Sequence, residues 1–281
     1  MQRLVGAILA TVLLGAVGAR AEEVWQTLPT PPPLPATERT GKAAVDDILM
    51  FYAVYGSGPP VLFIHGGLGN ADAWGFQVPE FVKDHTVVVA DSRGHGRSTR
   101  SAKPFGYALM ADDYLALMRH LGFETFALVG WSDGGIIGLD IAIRHPERLT
   151  GVFAFAANTV PEGVDPAVES NATFGRYIEL MGEQYKRISP TPGEYDAFVE
   201  QISQMWASQP NYTKVQLQAI SVPVTVFDGE HDEAILRAHT EEIAATIPAA
   251  KLVILPEASH FAMWQQPQAF NAAVRTFLDA L

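Results

Sequence analysis

Short, continuous apolar runs alternate along the chain with longer stretches in which apolar residues recur every three or four positions. The runs are Ile48–Tyr55, Val61–Ile64, Thr86–Ala90, Phe126–Val129, Gly151–Phe155, Val222–Phe227 and Leu252–Leu255. Several are unbroken rather than alternating, the pattern of strands covered on both faces of a parallel sheet. Between them the spacing predicts helices over Ala111–Leu121, Gly135–Arg144, Thr240–Ala245 and Pro267–Leu281. The last puts Phe270, Val274, Phe277, Leu278 and Leu281 on one stripe, and Pro267 suits a first helical turn. Strand and helix in alternation predict an α/β fold, a mostly parallel sheet with helices on both faces.

One stretch breaks the rhythm. Residues 158–210 hold no convincing strand and two amphipathic segments, Phe174–Tyr185 and Glu194–Trp206. An all-helical insertion between strands reads as a cap over the carboxyl edge of the sheet, where open α/β folds bind ligands. The expected organisation is a core of residues 37–157 and 211–281, with the cap between.

The ends have a different character. Arg3, the uncharged run Leu4–Ala19 and the sequence Ala19-Arg20-Ala21 form the charged, apolar and small-residue regions of a secretory signal peptide. The run is shorter than the ~20 residues of a spanning helix, which favours cleavage after Ala21 over a stable membrane anchor. The expectation is an exported, most simply periplasmic, protein. Residues 22–36 carry five prolines between Pro29 and Pro35 and read as an extended tether.

Composition narrows the function classes. Apolar residues make up 48% of the chain, too many for a mainly disordered protein. Cysteine is absent, which excludes a thiol nucleophile, a disulfide framework and a cysteine-ligated metal. The formal charge is −12, and loss of Arg3 and Arg20 with the signal takes it to −14. Nucleic-acid binding needs a basic face and is not expected.

Candidate chemistry clusters where strands end. Phe126–Val129 runs into Gly130-Trp131-Ser132-Asp133-Gly134-Gly135, and a helix follows. That is the context in which G-x-S-x-G makes a nucleophile elbow: a sharp turn lifts the serine oxygen above the sheet, and the glycines let neighbouring backbone approach. Val61–Ile64 runs into His65-Gly66-Gly67-Leu68-Gly69, whose backbone N–H groups can receive an oxyanion. The expected donors are the N–H of Asp133 and of Gly67, with Leu68 as the alternative; His65 is expected to be structural. A serine hydroxyl needs a base, and the base an orienting acid. Val222–Phe227 leads to Asp228 and Asp232, and Leu252–Leu255 leads to His260. His260 is the expected base and Asp232 the acid, with Asp228 second. His231 shares the acid's loop, and His239 is expected on an exposed helix. Asp91–Ser98 lacks the ending of a phosphate-binding loop and reads as a turn held by Arg–Asp hydrogen bonds.

At these motifs the sequence resembles the α/β-hydrolase superfamily, in its capped serine hydrolase and esterase branch. The motifs are HGGLG at 65–69, DSRGHGRS at 91–98, GWSDGG at 130–135, GEHD at 229–232 and SHFAMWQQP at 259–267. The resemblance covers essentially Ala43 to Leu281. The resemblance implies a sheet of about eight strands with a helical cap, Ser132 as nucleophile, Asp232 as acid, His260 as base, and no metal or organic cofactor. The elbow looks like that of valacyclovir-hydrolase-like enzymes, which act on amino-acid esters. Serine there departs from haloalkane dehalogenases and epoxide hydrolases, which use aspartate.

The expected function is hydrolysis of a small ester-like substrate through an acyl-enzyme. Hydrolysis of a lactone, thioester, amide or C–C bond, or ligand binding without catalysis, are the alternatives. The Asp133 carboxylate opposes developing negative charge unless a cation neutralises it. A protein arginine is the favoured partner and a substrate ammonium the other. Leu68, Trp131, Asp133, Trp206 and Trp264 are the expected substrate-pocket residues.

Overall fold

The unbroken apolar runs occupy the middle of one twisted sheet, where both faces are covered. The computed structural model describes residues 23–281. The expected signal peptide and its cleavage point after Ala21 lie outside the described residues. The strands are β1 (Thr40–Val45), β2 (Ile48–Gly56), β3 (Pro60–Ile64), β4 (Thr86–Ala90), β5 (Phe126–Trp131), β6 (Leu149–Phe155), β7 (Val224–Gly229) and β8 (Lys251–Leu255). Their order is β1-β2-β4-β3-β5-β6-β7-β8. Only the β1–β2 and β2–β4 pairs are antiparallel, and the other neighbours run parallel. Every residue of β4 and β5 is buried, as their apolar composition requires.

Pattern reading missed β1. It is an edge strand in which only Ala43 and Val45 are buried, too short an alternation to register. The signal that marks it is the two-residue Asp46-Asp47 turn into β2, with Asp46 in the left-handed region at φ 48°.

Helices cover both faces. In chain order they are α1 (Val78–Phe81), α2 (Tyr107–His120), α3 (Asp133–Arg144), α4 (Ala172–Ile188), α5 (Tyr195–Trp206), α6 (Lys214–Gln218), α7 (Arg237–Thr246), α8 (Ala262–Gln265) and α9 (Pro267–Leu278). Alternation along β6 assigns the faces. Val152 meets α3 at Gly138, where a Cβ would stand 3.0 Å from its Cγ1. Phe153 and Phe155 point the other way, onto Phe270 of α9 at ring distances of 5.7 and 5.3 Å. Helix α2 begins four residues before its expected start, because Tyr107 and Met110 supply an extra buried turn.

Between β6 and β7 the chain forms α4 and α5. Tyr177, Met181 and Tyr185 form the buried stripe of α4, and Phe198, Ile202 and Met205 that of α5. Tyr185 stacks on Phe198 at 5.3 Å, and Phe198 meets His95 edge-on at 4.7 Å. His95 belongs to the Asp91–Ser98 turn, so that turn is the seat of α5. The turn is knitted by charge: Arg93 grips Asp113 through two bonds of 2.6 and 2.8 Å. The buried Asp91 carboxylate receives the N–H of Ala71 at 2.7 Å and of Arg97 at 2.6 Å.

The proline-rich segment is not a free tether; it lies along the domain. Gln265 Nε2 donates to the carbonyls of Trp25 and Thr27 at 3.2 and 2.9 Å. Gly75 admits the segment because any Cβ there would stand 1.9 Å from the Pro32 oxygen.

Phe198 is fully buried between α4 and the His95 turn. Phe198→Ala should therefore cost about 3–5 kcal/mol of stability, measured by urea unfolding. A loss under about 1 kcal/mol would show that the α4–α5 layer is not part of the cooperative unit.

Candidate active site

Steric exclusion builds the elbow. A Cβ on Gly130 would stand 2.2 Å from the Gly134 oxygen, and one on Gly134 would stand 2.2 Å from the Ile64 oxygen. With both positions bare, β5 turns into α3 within one residue. Ser132 takes that turn at φ 54°, ψ −117°, a conformation non-glycine residues adopt only at a cost. Its N–H is anchored on the Phe155 carbonyl at 2.7 Å. The side chain emerges half-buried at the floor of a cavity of about 540 Å³, which His260 also lines.

His260 and Asp232 meet although 28 residues separate them. Nδ1 of His260 lies 2.8 Å from Oδ2 of Asp232. The other carboxylate oxygen accepts the N–H of Ala234 and of Ile235, both at 2.7 Å. Asp232 is thus locked on both sides. Asp228 accepts from the Gly229 N–H at 2.9 Å and the Thr240 hydroxyl at 2.6 Å, and its carboxyl also bonds Asp232. The histidine loop is pinned by the Trp131 indole, which donates to the His260 carbonyl at 2.9 Å, and by Glu233, which accepts the His260 N–H at 3.0 Å. The rings of Trp131, Phe155, Phe174 and Phe261 surround the imidazole. Burial among them holds the His260 pKa below its ordinary value, while the carboxylates of Glu233, Asp228 and Asp133 pull the other way. Burial thus favours the neutral imidazole, the form a general base needs. Burial likewise raises Asp232, and a hydrogen bond from Asp228 and the two backbone N–H groups oppose that rise.

Opposite the elbow, Gly66–Gly69 forms a β-turn closed by a 3.1 Å bond from the Gly69 N–H to the Gly66 oxygen. Leu68 occupies its third position at φ 62°, where a type II turn normally places glycine. That conformation costs a non-glycine residue ~1–2 kcal/mol, comparable with the net worth of one hydrogen bond. Tyr177 of α4 supplies such a bond, its hydroxyl donating to the Gly67 oxygen at 2.7 Å. Gly67 must be bare: a Cβ there would stand 2.3 Å from Trp206 Cζ2 and 2.9 Å from Asp133 Oδ2. The N–H of Asp133 lies in the first turn of α3, where backbone donors have no partner within the helix.

Asp133 is where expectation and structure part. No arginine pairs with it among the described residues. The carboxylate instead accepts from two neutral donors, the Tyr107 hydroxyl at 2.8 Å and Trp206 Nε1 at 3.0 and 3.1 Å. Burial pushes its pKa up to about 6, since neutral donors offset only part of the lost hydration.

Two other expectations need correction. Trp264 does not line the cavity; its indole donates to the Ala73 carbonyl at 2.8 Å and its ring stacks on Phe261, deep in the core. His239 is buried, not exposed, with Nε2 accepting the Thr159 N–H at 3.0 Å. The structure does bring Gly67, Leu68, Trp131, Ser132, Asp133, Trp206 and His260 to one cavity. His65 bridges strand ends, with Nδ1–H on the Gly66 oxygen at 2.7 Å and Nε2 accepting the Ser92 N–H at 3.0 Å. That pattern requires the neutral ring, and burial holds its pKa near 4. Tyr107, Tyr177 and Glu233 escaped sequence reading. Tyr177 was visible only as one member of an apolar stripe, and Glu233 as the residue after the acid.

Comparison with known proteins agrees with this fold. A family model described as alpha/beta hydrolase fold matches residues 59–196. The chain is 29% identical to 3-oxoadipate enol-lactonase 2 of Acinetobacter baylyi, over 83% of this chain and 94% of that protein. It is 26% identical to the human serine hydrolase BPHL, over 85% and 86%. The solved structure of an N-acyl homoserine lactone degrading enzyme superposes with a TM-score of 0.68 at 28% identity, covering 84% of this chain and 100% of that one. The chain belongs to the α/β-hydrolase superfamily. It is a hydrolase of that fold, and α4 and α5 roof its cavity.

The raised Asp133 pKa has a consequence for stability. An aspartate in the unfolded chain titrates near 3.8 and this one near 6. Between those values the native state holds a proton that the unfolded state has released, so this group makes stability fall as pH rises through the window. Asp133→Asn should therefore be more stable than wild type at pH 8 by about 3 kcal/mol, and the gain should vanish below about pH 4. Urea unfolding at the two pH values checks this; an equal effect at both would remove burial of the charge as its cause.

Proposed function

We propose that this hydrolase cleaves a carboxylic ester, open-chain or cyclic, by forming an acyl-enzyme on Ser132. The observation that carries the reading is Ser132 at a strained elbow facing a cavity it shares with an Asp232-bonded His260. In this mechanism the Ser132 hydroxyl adds to the carbonyl carbon as His260 Nε2 takes its proton. Asp232 stabilises the imidazolium, and the N–H groups of Asp133 and Gly67 receive the oxyanion. Collapse breaks the C–O bond, and His260 returns the proton to the leaving alkoxide. Water, deprotonated by the same imidazole, then releases the acid and restores Ser132.

The cavity sets the substrate class. Leu68, Trp131, Val164, Phe174 and Ile235 give it apolar walls, so binding rests on apolar burial with few polar anchors. The lactone-directed names of two relatives support including cyclic esters. The buried Asp133 carboxylate on the wall supports including amino-acyl esters. The sequence features of residues 1–21 support export to the periplasm with cleavage after Ala21.

A fluorophosphonate probe should label wild type and spare Ser132→Ala. The same pair of proteins, assayed on plain esters, lactones, amino-acyl esters, thioesters and amides, should show Ser132-dependent turnover on the oxygen esters first. Absence of both labelling and turnover would overturn the enzyme mechanism; turnover confined to amides or thioesters would overturn the bond assignment. For export, intact-mass analysis of protein from the periplasmic fraction should show a chain starting at Glu22. A chain retaining residues 1–21 in the cytoplasm would refute that placement.

A further inference from the structure

Two helices roof the cavity, and each makes one side-chain hydrogen bond to one wall of the proposed anion recess. From α4, the Tyr177 hydroxyl donates to the Gly67 oxygen at 2.7 Å. From α5, Trp206 Nε1 donates to the Asp133 carboxylate at 3.0 and 3.1 Å. Gly67 and Asp133 are the residues whose N–H groups would receive the oxyanion, and the Trp206 ring lies against the bare Gly67 backbone. We infer that Tyr177 and Trp206 are positioning residues that hold the oxyanion donors in place, so that the recess is complete only with α4 and α5 seated. The inference rests on the acyl-enzyme reading above.

The physical case is clearest at Tyr177. Leu68 at φ 62° makes Gly66–Gly69 a type II turn, with the peptide between Gly67 and Leu68 in the orientation that glycine would favour at the next position. The relaxed alternative for leucine is a type I turn, reached by flipping that one peptide. The flip would turn the Gly67 oxygen and the Leu68 N–H, the alternative oxyanion donor, to the other face of the turn, and would rotate Gly67 about the ψ beside its own N–H donor. Tyr177 bonds the oxygen in the unrelaxed orientation, so the helix supplies what holds the less favourable turn. At the other wall, Asp133 is the first residue of α3, and its carboxylate is held from both sides by Tyr107 of α2 and Trp206 of α5. Loss of the Trp206 bond leaves that residue tethered on one side.

Tyr177→Phe and Trp206→Phe remove these donors and keep an aromatic ring in each place. For Tyr177 the retained ring still meets Trp131 at 5.6 Å and Phe261 at 5.1 Å, so the variant keeps its packing. On an ester substrate, Tyr177→Phe should lower kcat by about 10- to 100-fold with KM within about twofold, less than the ~10²–10³ loss from deleting an oxyanion donor outright. Affinity for a trifluoromethyl ketone, which must place an oxyanion in the recess, should fall by the same factor. Affinity for the product carboxylic acid should hold within about twofold. Trp206→Phe should show the same split with a smaller kcat loss. Parallel loss of KM, product affinity and ketone affinity would mark a structural role and overturn the inference. Unchanged kcat and ketone affinity in both variants, with wild type still labelled by fluorophosphonate, would overturn it while leaving the hydrolase mechanism intact. Failure of wild type to label or turn over would remove the mechanism and this inference with it.

Discussion

Ser132 occupies a backbone conformation that leucine, valine or any other side chain would equally resist, and the molecule is arranged to hold it there. The turn closes because Gly130 and Gly134 sit in positions where a Cβ would overlap backbone at 2.2 Å. The ends of the turn are fixed by structures that have no freedom to yield. Strand β5 is hydrogen-bonded in parallel to β3 and β6, and α3 is packed against Val152 and Leu128 through its own bare Gly138. Relaxing Ser132 would mean moving a fully buried strand or a largely buried helix. The core thus stores strain at the one residue whose oxygen must project into the cavity.

Around that residue the electrostatics depend on exclusion of water. His260 is surrounded by aromatic rings, so its neutral form is favoured; Asp232 beside it is held by backbone N–H groups that do not depend on pH. Asp133 follows the same logic with a different outcome. Two neutral donors, Tyr107 and Trp206, reduce but do not cancel the cost of burying its charge, and its pKa settles near 6. A carboxylate with no cation beside it is an expensive thing to place next to a nucleophile. Here it also serves as the fastening point of α5, which ties the roof of the cavity to the first turn of α3.

Much of this was legible in the chain. The buried strands could be read because residues covered on both faces must be apolar throughout, as in Val87–Ala90 and Phe126–Val129. The elbow could be read because its steric demand falls on residues adjacent in sequence. Serine at 132 with glycine at 130 and 134 leaves little else that such a turn could be. Strand β1 was missed because an edge strand covered on one side carries half the pattern, and its six residues were too few to show it. Trp264 was misplaced because tryptophan suits a pocket wall and a packed core equally well, and only the Ala73 carbonyl beneath its indole distinguishes them. His239 was misread for a related reason: a helix's polar-looking residue can turn inward when a loop, here at Thr159, offers it an N–H.

The sequence by itself determined the alternation of the central strands and the long helices, the parallel core and the residue types that end each strand, because these follow from local periodicity and local sterics. Only the tertiary structure decided who partners whom. Asp232 rather than Asp228 reaches His260; Asp228 bonds the Gly229 N–H, the Thr240 hydroxyl and Asp232 itself. Tyr107 and Trp206, not an arginine, meet Asp133, and Tyr177 steadies a turn more than a hundred residues before it. Such contacts join residues far apart in the chain, and no spacing rule encodes them. Their geometry is set when α2, α4 and α5 pack over the carboxyl edge of the sheet.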